Sequence, residues 1–161
     1  EHVMPQQHNL DLIRFMNRQL SNFAVLYFKL HRYHWYVHGP HFFGLHEKFE
    51  EWYDWSAQML DELAERILAI GGRPLATMSK YLKETTLQEA EADDKEEEML
   101  EVLLRDFEQI ADELQTGIDL CEQHKDEGSA DLLIGLQSEL QKQAWMLRAL
   151  LGKVNSNLMP V

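Results

Sequence analysis

A single cysteine, Cys121, leaves this chain no internal disulfide to close. Small secreted disulfide scaffolds are thereby excluded, and a reducing, cytoplasmic setting is the expectation. No apolar run approaches the length of a membrane span, and the first residues carry no secretory pattern. Only four prolines and eight glycines occur, which excludes collagen-like and low-complexity chains. Basic residues are also few, with 15 Lys and Arg against 28 Asp and Glu, for a net charge of -13. Such a balance repels nucleic acid and anionic membranes and attracts cations, besides keeping a protein soluble. What remains is 161 residues, 45% hydrophobic with 10% aromatic, enough for one packed domain over 1–161 with short tails at about 1–9 and 153–161.

The apolar residues recur at helical spacing in four long stretches, expected at about 10–37, 43–70, 89–123 and 130–151. Gly39-Pro40 separates the first two, and Gly71-Gly72 stops the second. Eight acids between Glu89 and Glu101 against one Lys95 suit a solvated helix start, where the helix dipole favours negative charge. The connection between the second and third stretches is long, with a short helix expected at about 74–82. The expected fold is therefore all-α: a ferritin-like four-helix bundle with a short extra helix in the long crossover between helices two and three.

The second helix carries polar residues where a plain core helix would not need them. Taking His46 as zero, a 100° advance per residue puts Glu50 near about 40°, Asp61 near about 60° and Glu65 near about 100°. Phe49, Tyr53, Leu60 and Ile67 point elsewhere, so His46, Glu50, Asp61 and Glu65 form one stripe of oxygen and nitrogen ligands. One chain cannot bring them to one ion, because His46 and Asp61 stand roughly 22 Å apart along the helix. Two antiparallel copies would place His46 and Glu50 of one opposite Asp61 and Glu65 of the other. His34 lies across the Gly39-Pro40 turn, within reach of His46. Without that pairing, acids four apart are ordinary features of a solvated helix, and an isolated histidine is more often structural. An intra-bundle di-iron centre is disfavoured, since no histidine has a Glu three residues before it. A zinc site from His31, His34, His38 and His41 is the weaker alternative, because Gly39-Pro40 interrupts the helix there.

The segment Leu30-His31-Arg32-Tyr33-His34-Trp35-Tyr36-Val37-His38-Gly39-Pro40-His41-Phe42-Phe43, continued by Leu45-His46-Glu47-Lys48-Phe49, closely resembles the Dps family of mini-ferritins. Leu63-Ala64-Glu65-Arg66 with Ile70-Gly71-Gly72 does the same. The resemblance implies a hollow homododecamer that oxidises ferrous iron, preferably with hydrogen peroxide, at sites shared across two-fold axes, and that stores ferric mineral. By that resemblance His34, His46 and Glu50 are ligands from one chain, and Asp61 and Glu65 are ligands from its partner. Trp35 corresponds to the tryptophan beside the site that limits escape of radicals. Asp131, and more weakly Asp126 and Glu127, correspond to acids lining a three-fold pore that admits iron; each also fits an ordinary solvated acid near a helix start. Zinc, manganese or another divalent ion suits the same ligands. DNA binding in the family often uses a lysine-rich tail, whereas here no Lys or Arg precedes Arg14 and only Lys153 follows Gly152. Weak or absent DNA binding is the expectation. Two alternatives are a DNA-compacting nucleoid protein and an inert helical scaffold whose polar stripe serves only subunit contact.

Overall fold

The computed structural model describes residues 7–91, 95–153 and 158–160, with nothing said of the side chains of residues 7–9. Much of the expected tails, and Asp93 and Asp94 of the acidic run, therefore lie outside the described residues. Five helices follow in order: α1 (Gln7–Tyr36), α2 (Phe42–Ala69), α3 (Met78–Glu84), α4 (Glu96–Gln123) and α5 (Glu127–Leu150). Among the described residues there is no strand, so the chain is all-α, four long helices and one short one.

Helices α1 and α2 form one hairpin, α4 and α5 the other, and α3 lies against α1. Their apolar stripes meet in one core, where Phe23, Leu30, Tyr33, Phe49, Leu63, Ile67, Phe107 and Leu140 are fully buried. The reason for the long crossover is visible in two polar contacts. His41 at the start of α2 bonds Glu96 at the start of α4, and Arg66 near the end of α2 bonds Asp126 just past α4. Helices α2 and α4 thus run in the same direction, and the chain must return along the length of the bundle between them.

Helix boundaries depart from the periodicity where capping or a tertiary hydrogen bond intervenes. Helix α2 ends in a Schellman arrangement: Gly71 takes φ +91°, and Gly72 N donates to Ile67 O at 2.8 Å. The short helix starts at Met78 rather than 74 because Thr77 caps it, while Leu75 N is drawn to Asn17 Oδ1 at 2.9 Å. The third long helix begins at Glu96 rather than 89. Residues 85–91 are non-helical, with their backbone held by α1: Lys29 Nζ donates to Gln88 O at 2.7 Å and Arg32 to Glu91 O at 2.8 Å. Asn22 holds the same segment by accepting from Thr86 N at 2.8 Å. A crossover outside regular structure needs such partners for its peptide groups.

Helix α5 begins three residues earlier than its apolar pattern, because Asp126 is its N-cap and accepts from Ser129 N at 3.0 Å. Asp126 also pairs with Arg66 at 3.0 Å. Burial by itself would raise the Asp126 carboxyl, but the bonds from Ser129 and Arg66 outweigh it and hold the group below its usual range. Replacing Asp126 by Ala should lower stability by about 1–2 kcal/mol at neutral pH, measured by urea denaturation. A depressed folded value means the contribution is present above the unfolded carboxyl value of about 4 and is lost as pH falls through the folded one. The gap between parent and variant should therefore narrow in acid.

Candidate metal centre

Leu30, Tyr33 and Val37 bury one face of α1, which leaves His34 at the rim of the core facing α2. On α2, Leu45 and Phe49 do the same for His46. The two imidazoles stack, with ring centroids 3.7 Å apart and planes 13° from parallel. Each ring then bonds the other's backbone: His34 Nδ1 lies 2.6 Å from His46 O, and His46 Nδ1 lies 2.7 Å from His34 O. A carbonyl oxygen only accepts, so both Nδ1 atoms carry the proton. That fixes the tautomer and leaves the Nε2 lone pair of each ring for an electrophile, the arrangement by which proteins orient histidine ligands.

Around this pair lies a pile of aromatic rings. Phe42 stacks on His46 at 5.1 Å, and Tyr53 meets His34 edge-on at 5.4 Å. His31 stacks on Tyr53 at 3.7 Å, with Tyr27 at 4.6 Å and Trp35 at 5.2 Å from His31. Burial, and then the neighbouring His34, lower the His31 pKa below its ordinary value. Trp35 is 65% exposed, so it is not a core aromatic of this chain.

Glu50, Asp61 and Glu65 are exposed on α2. Glu50 Oε1 accepts a hydrogen bond from Tyr53 Oη at 3.2 Å. Among the described residues no three His, Cys, Asp or Glu side chains converge on one point. The structure therefore brings His34 and His46 together within one chain and leaves Asp61 and Glu65 some four turns further along the helix. The four clustered histidines have separate partners. His31 is stacked on Tyr53, His34 on His46, His38 Nδ1 is 3.2 Å from Tyr36 O, and His41 Nδ1 is 3.0 Å from Glu96. No shared zinc site arises from them.

The three acids near the start of α5 differ from one another. Asp126 is engaged by Arg66 and Ser129, whereas Glu127 and Asp131 are exposed. Asp131 lines a cleft of about 250 Å³ between α2 and α5, together with Glu62 and Glu139. Cys121 is buried, and burial above all pushes its thiol up to about 11, so it is not a nucleophile at neutral pH. The reciprocal histidine bonds and the role of Tyr53 were not anticipated from the sequence. The only signal for Tyr53 was its i, i+3 spacing from Glu50.

The ferritin-like domain family matches residues 13–157. The chain is 49% identical over 145 residues to DNA protection during starvation protein 2 of Bacillus anthracis, covering 90% of this chain and 99% of that one. A crystal structure of a Dps protein from Bacillus brevis superposes with a TM-score of 0.90 at 41% identity, covering 92% and 99% of the two chains. A Dps from Listeria innocua does so with a TM-score of 0.86 at 36% identity, covering 89% and 97%. With the fold and these relatives in agreement, the chain belongs to the Dps family of ferritin-like proteins.

Proposed function

We propose that this protein, acting as a single ferritin-like domain in a hollow homododecamer in the cytoplasm, oxidises ferrous iron with hydrogen peroxide and stores the ferric product. The observation that carries the reading is the reciprocal His34–His46 pair, whose two Nε2 lone pairs are oriented before any ion arrives. A second copy of α2, running antiparallel across a two-fold axis, supplies Asp61 and Glu65 opposite that pair, with Glu50 beside it. Two of the solved Listeria innocua structures are histidine-to-glycine variants at positions twelve residues apart, the separation of His34 and His46. Others from that protein were soaked with zinc or cobalt, ions that suit the same nitrogen and oxygen donors.

Iron is the substrate, and the protein supplies charge and geometry. The carboxylates offset the positive charge of two ferrous ions held near each other, and the neutral imidazoles fix their positions. Each ion gives one electron to peroxide, the O–O bond breaks, and two protons complete two molecules of water, so no hydroxyl radical is released. The ferric ions then hydrolyse and mineralise within the shell. Trp35, beside His31, is placed to quench stray one-electron oxidants. Exposed Asp131 and Glu127 serve the pore that admits iron better than Asp126, whose carboxylate is already held. Protection of DNA, the role in the relatives' names, is assigned here to removal of iron and peroxide rather than coating, since a net charge of -13 per chain repels phosphate.

The test is anaerobic. Metal-free protein is loaded with ferrous iron, a limiting amount of peroxide is added, and the ferrous ions oxidised are counted with a spin trap present. About two per peroxide with no hydroxyl adduct is the expected result for paired donation. A ratio equal to that of a protein-free control, with the adduct still formed, overturns the reading in favour of an inert scaffold.

A further inference from the structure

The side chain that links the histidine pair to the carboxylate stripe is Tyr53. It sits on α2, one turn after Glu50, and its ring contacts two histidines of α1. His31 stacks on it at 3.7 Å with planes 18° apart, and His34 stands edge-on to it at 5.4 Å. Tyr27 lies 6.0 Å from it. A ring packed in this way has little rotational freedom, so the direction of its hydroxyl is set by packing. That hydroxyl donates to Glu50 Oε1 at 3.2 Å. Glu50 is otherwise an exposed carboxylate on a long, flexible side chain.

We propose that Tyr53 is a positioning residue for the metal centre, restraining the Glu50 carboxylate through its hydroxyl while its ring packs against His34. The inference rests on the metal-centre reading above. His31 supports the arrangement as the flat surface on which the phenol ring rests. The advantage is entropic: one oxygen of Glu50 is held by the hydroxyl, the other remains free for an ion, and less side-chain freedom is lost when the ion binds. A carboxylate at this place without a fixed neighbour would have to be ordered by the ion itself.

The experiment separates the hydroxyl from the ring. Tyr53→Phe keeps the contacts with His31 and His34 and removes only the donor, while Tyr53→Leu removes both. Cobalt(II) binding to assembled, metal-free protein is followed by visible absorption without oxidant, so that the readout does not require iron chemistry. Tyr53→Phe is expected to weaken cobalt binding by about 10-fold with assembly and thermal midpoint unchanged. Glu50→Gln should weaken it as well, and Tyr53→Phe in the Glu50→Gln background should add almost nothing, because the hydroxyl acts through that carboxylate. Tyr53→Leu is expected to lose more, by loosening His34. With ferrous iron and peroxide, Tyr53→Phe should raise the iron concentration for half-maximal rate and leave the maximal rate nearly intact. Parental affinity in Tyr53→Phe, or full additivity with Glu50→Gln, overturns the inference and leaves the centre standing. Absence of cobalt binding in the parent, or binding that survives His34→Ala and Asp61→Ala, overturns the centre itself.

Discussion

A chain carrying His34→Ala and His46→Ala, and a second chain carrying Asp61→Ala and Glu65→Ala, should each oxidise ferrous iron no faster than a protein-free control, yet recover activity when co-assembled. The reason is the distance along α2. His46 and Asp61 are roughly 22 Å apart on one rigid helix, far beyond the reach of one ion. A centre drawing on both must take them from different copies. In an antiparallel pair with two equivalent centres, a mixed pair holds one centre with both ligand sets intact and one with neither. Random pairing makes about half the pairs mixed, so about a quarter of all centres should work. Activity of the mixture is measured against parental protein at equal concentration, with size-exclusion chromatography to confirm equal assembly. No recovery would mean that the histidines and acids do not meet across an interface, and activity in either chain alone would mean the centre lies elsewhere.

Lys29→Met should destabilise the protein by about 3–5 kcal/mol, the largest single loss expected outside the hydrophobic core. Lys29 Nζ is almost wholly buried, 2.7 Å from Asp106 Oδ2 on α4 and 2.7 Å from Gln88 O in the crossover. It therefore joins α1, α4 and the returning chain at one point. Removing the cation takes from buried Asp106 the charge bonded to it at 2.7 Å and removes the donor from a crossover carbonyl. The double replacement Lys29→Met with Asp106→Leu should recover most of the loss, because desolvating the pair offsets much of its Coulombic gain. Urea unfolding at one fixed protein concentration reads both, since assembly contributes to apparent stability. A small loss in Lys29→Met, or a double variant no better than the single one, would refute this account of the pair.

Lys29 also shows where reading the sequence stops. It falls among Leu26, Leu30 and Tyr33 on the buried side of α1, a position at which periodicity expects an apolar residue. The pattern marks the exception, but the counter-charge lies 77 residues away on another helix and has no local signature. The same limit moved the start of α4 from 89 to Glu96, since the chain at Gln88 and Glu91 is held by Lys29 and Arg32 on α1. Asp126, a weaker pore candidate by resemblance than Asp131, caps α5 and pairs with Arg66, neither of which spacing alone foretells.

By itself the sequence determined the all-α class, the four long helices, the breaks at Gly39-Pro40 and Gly71-Gly72, the long crossover and the polar stripe of His46, Glu50, Asp61 and Glu65 on α2. These follow from one-dimensional spacing, because a helix converts sequence interval directly into angle and rise. Only the tertiary structure decided that His34 and His46 stack, which ring nitrogen each keeps for a ligand, and that Tyr53 reaches Glu50. Those features depend on side-chain torsions fixed by packing between α1 and α2, and the periodicity of either helix carries no information about the other's side chains.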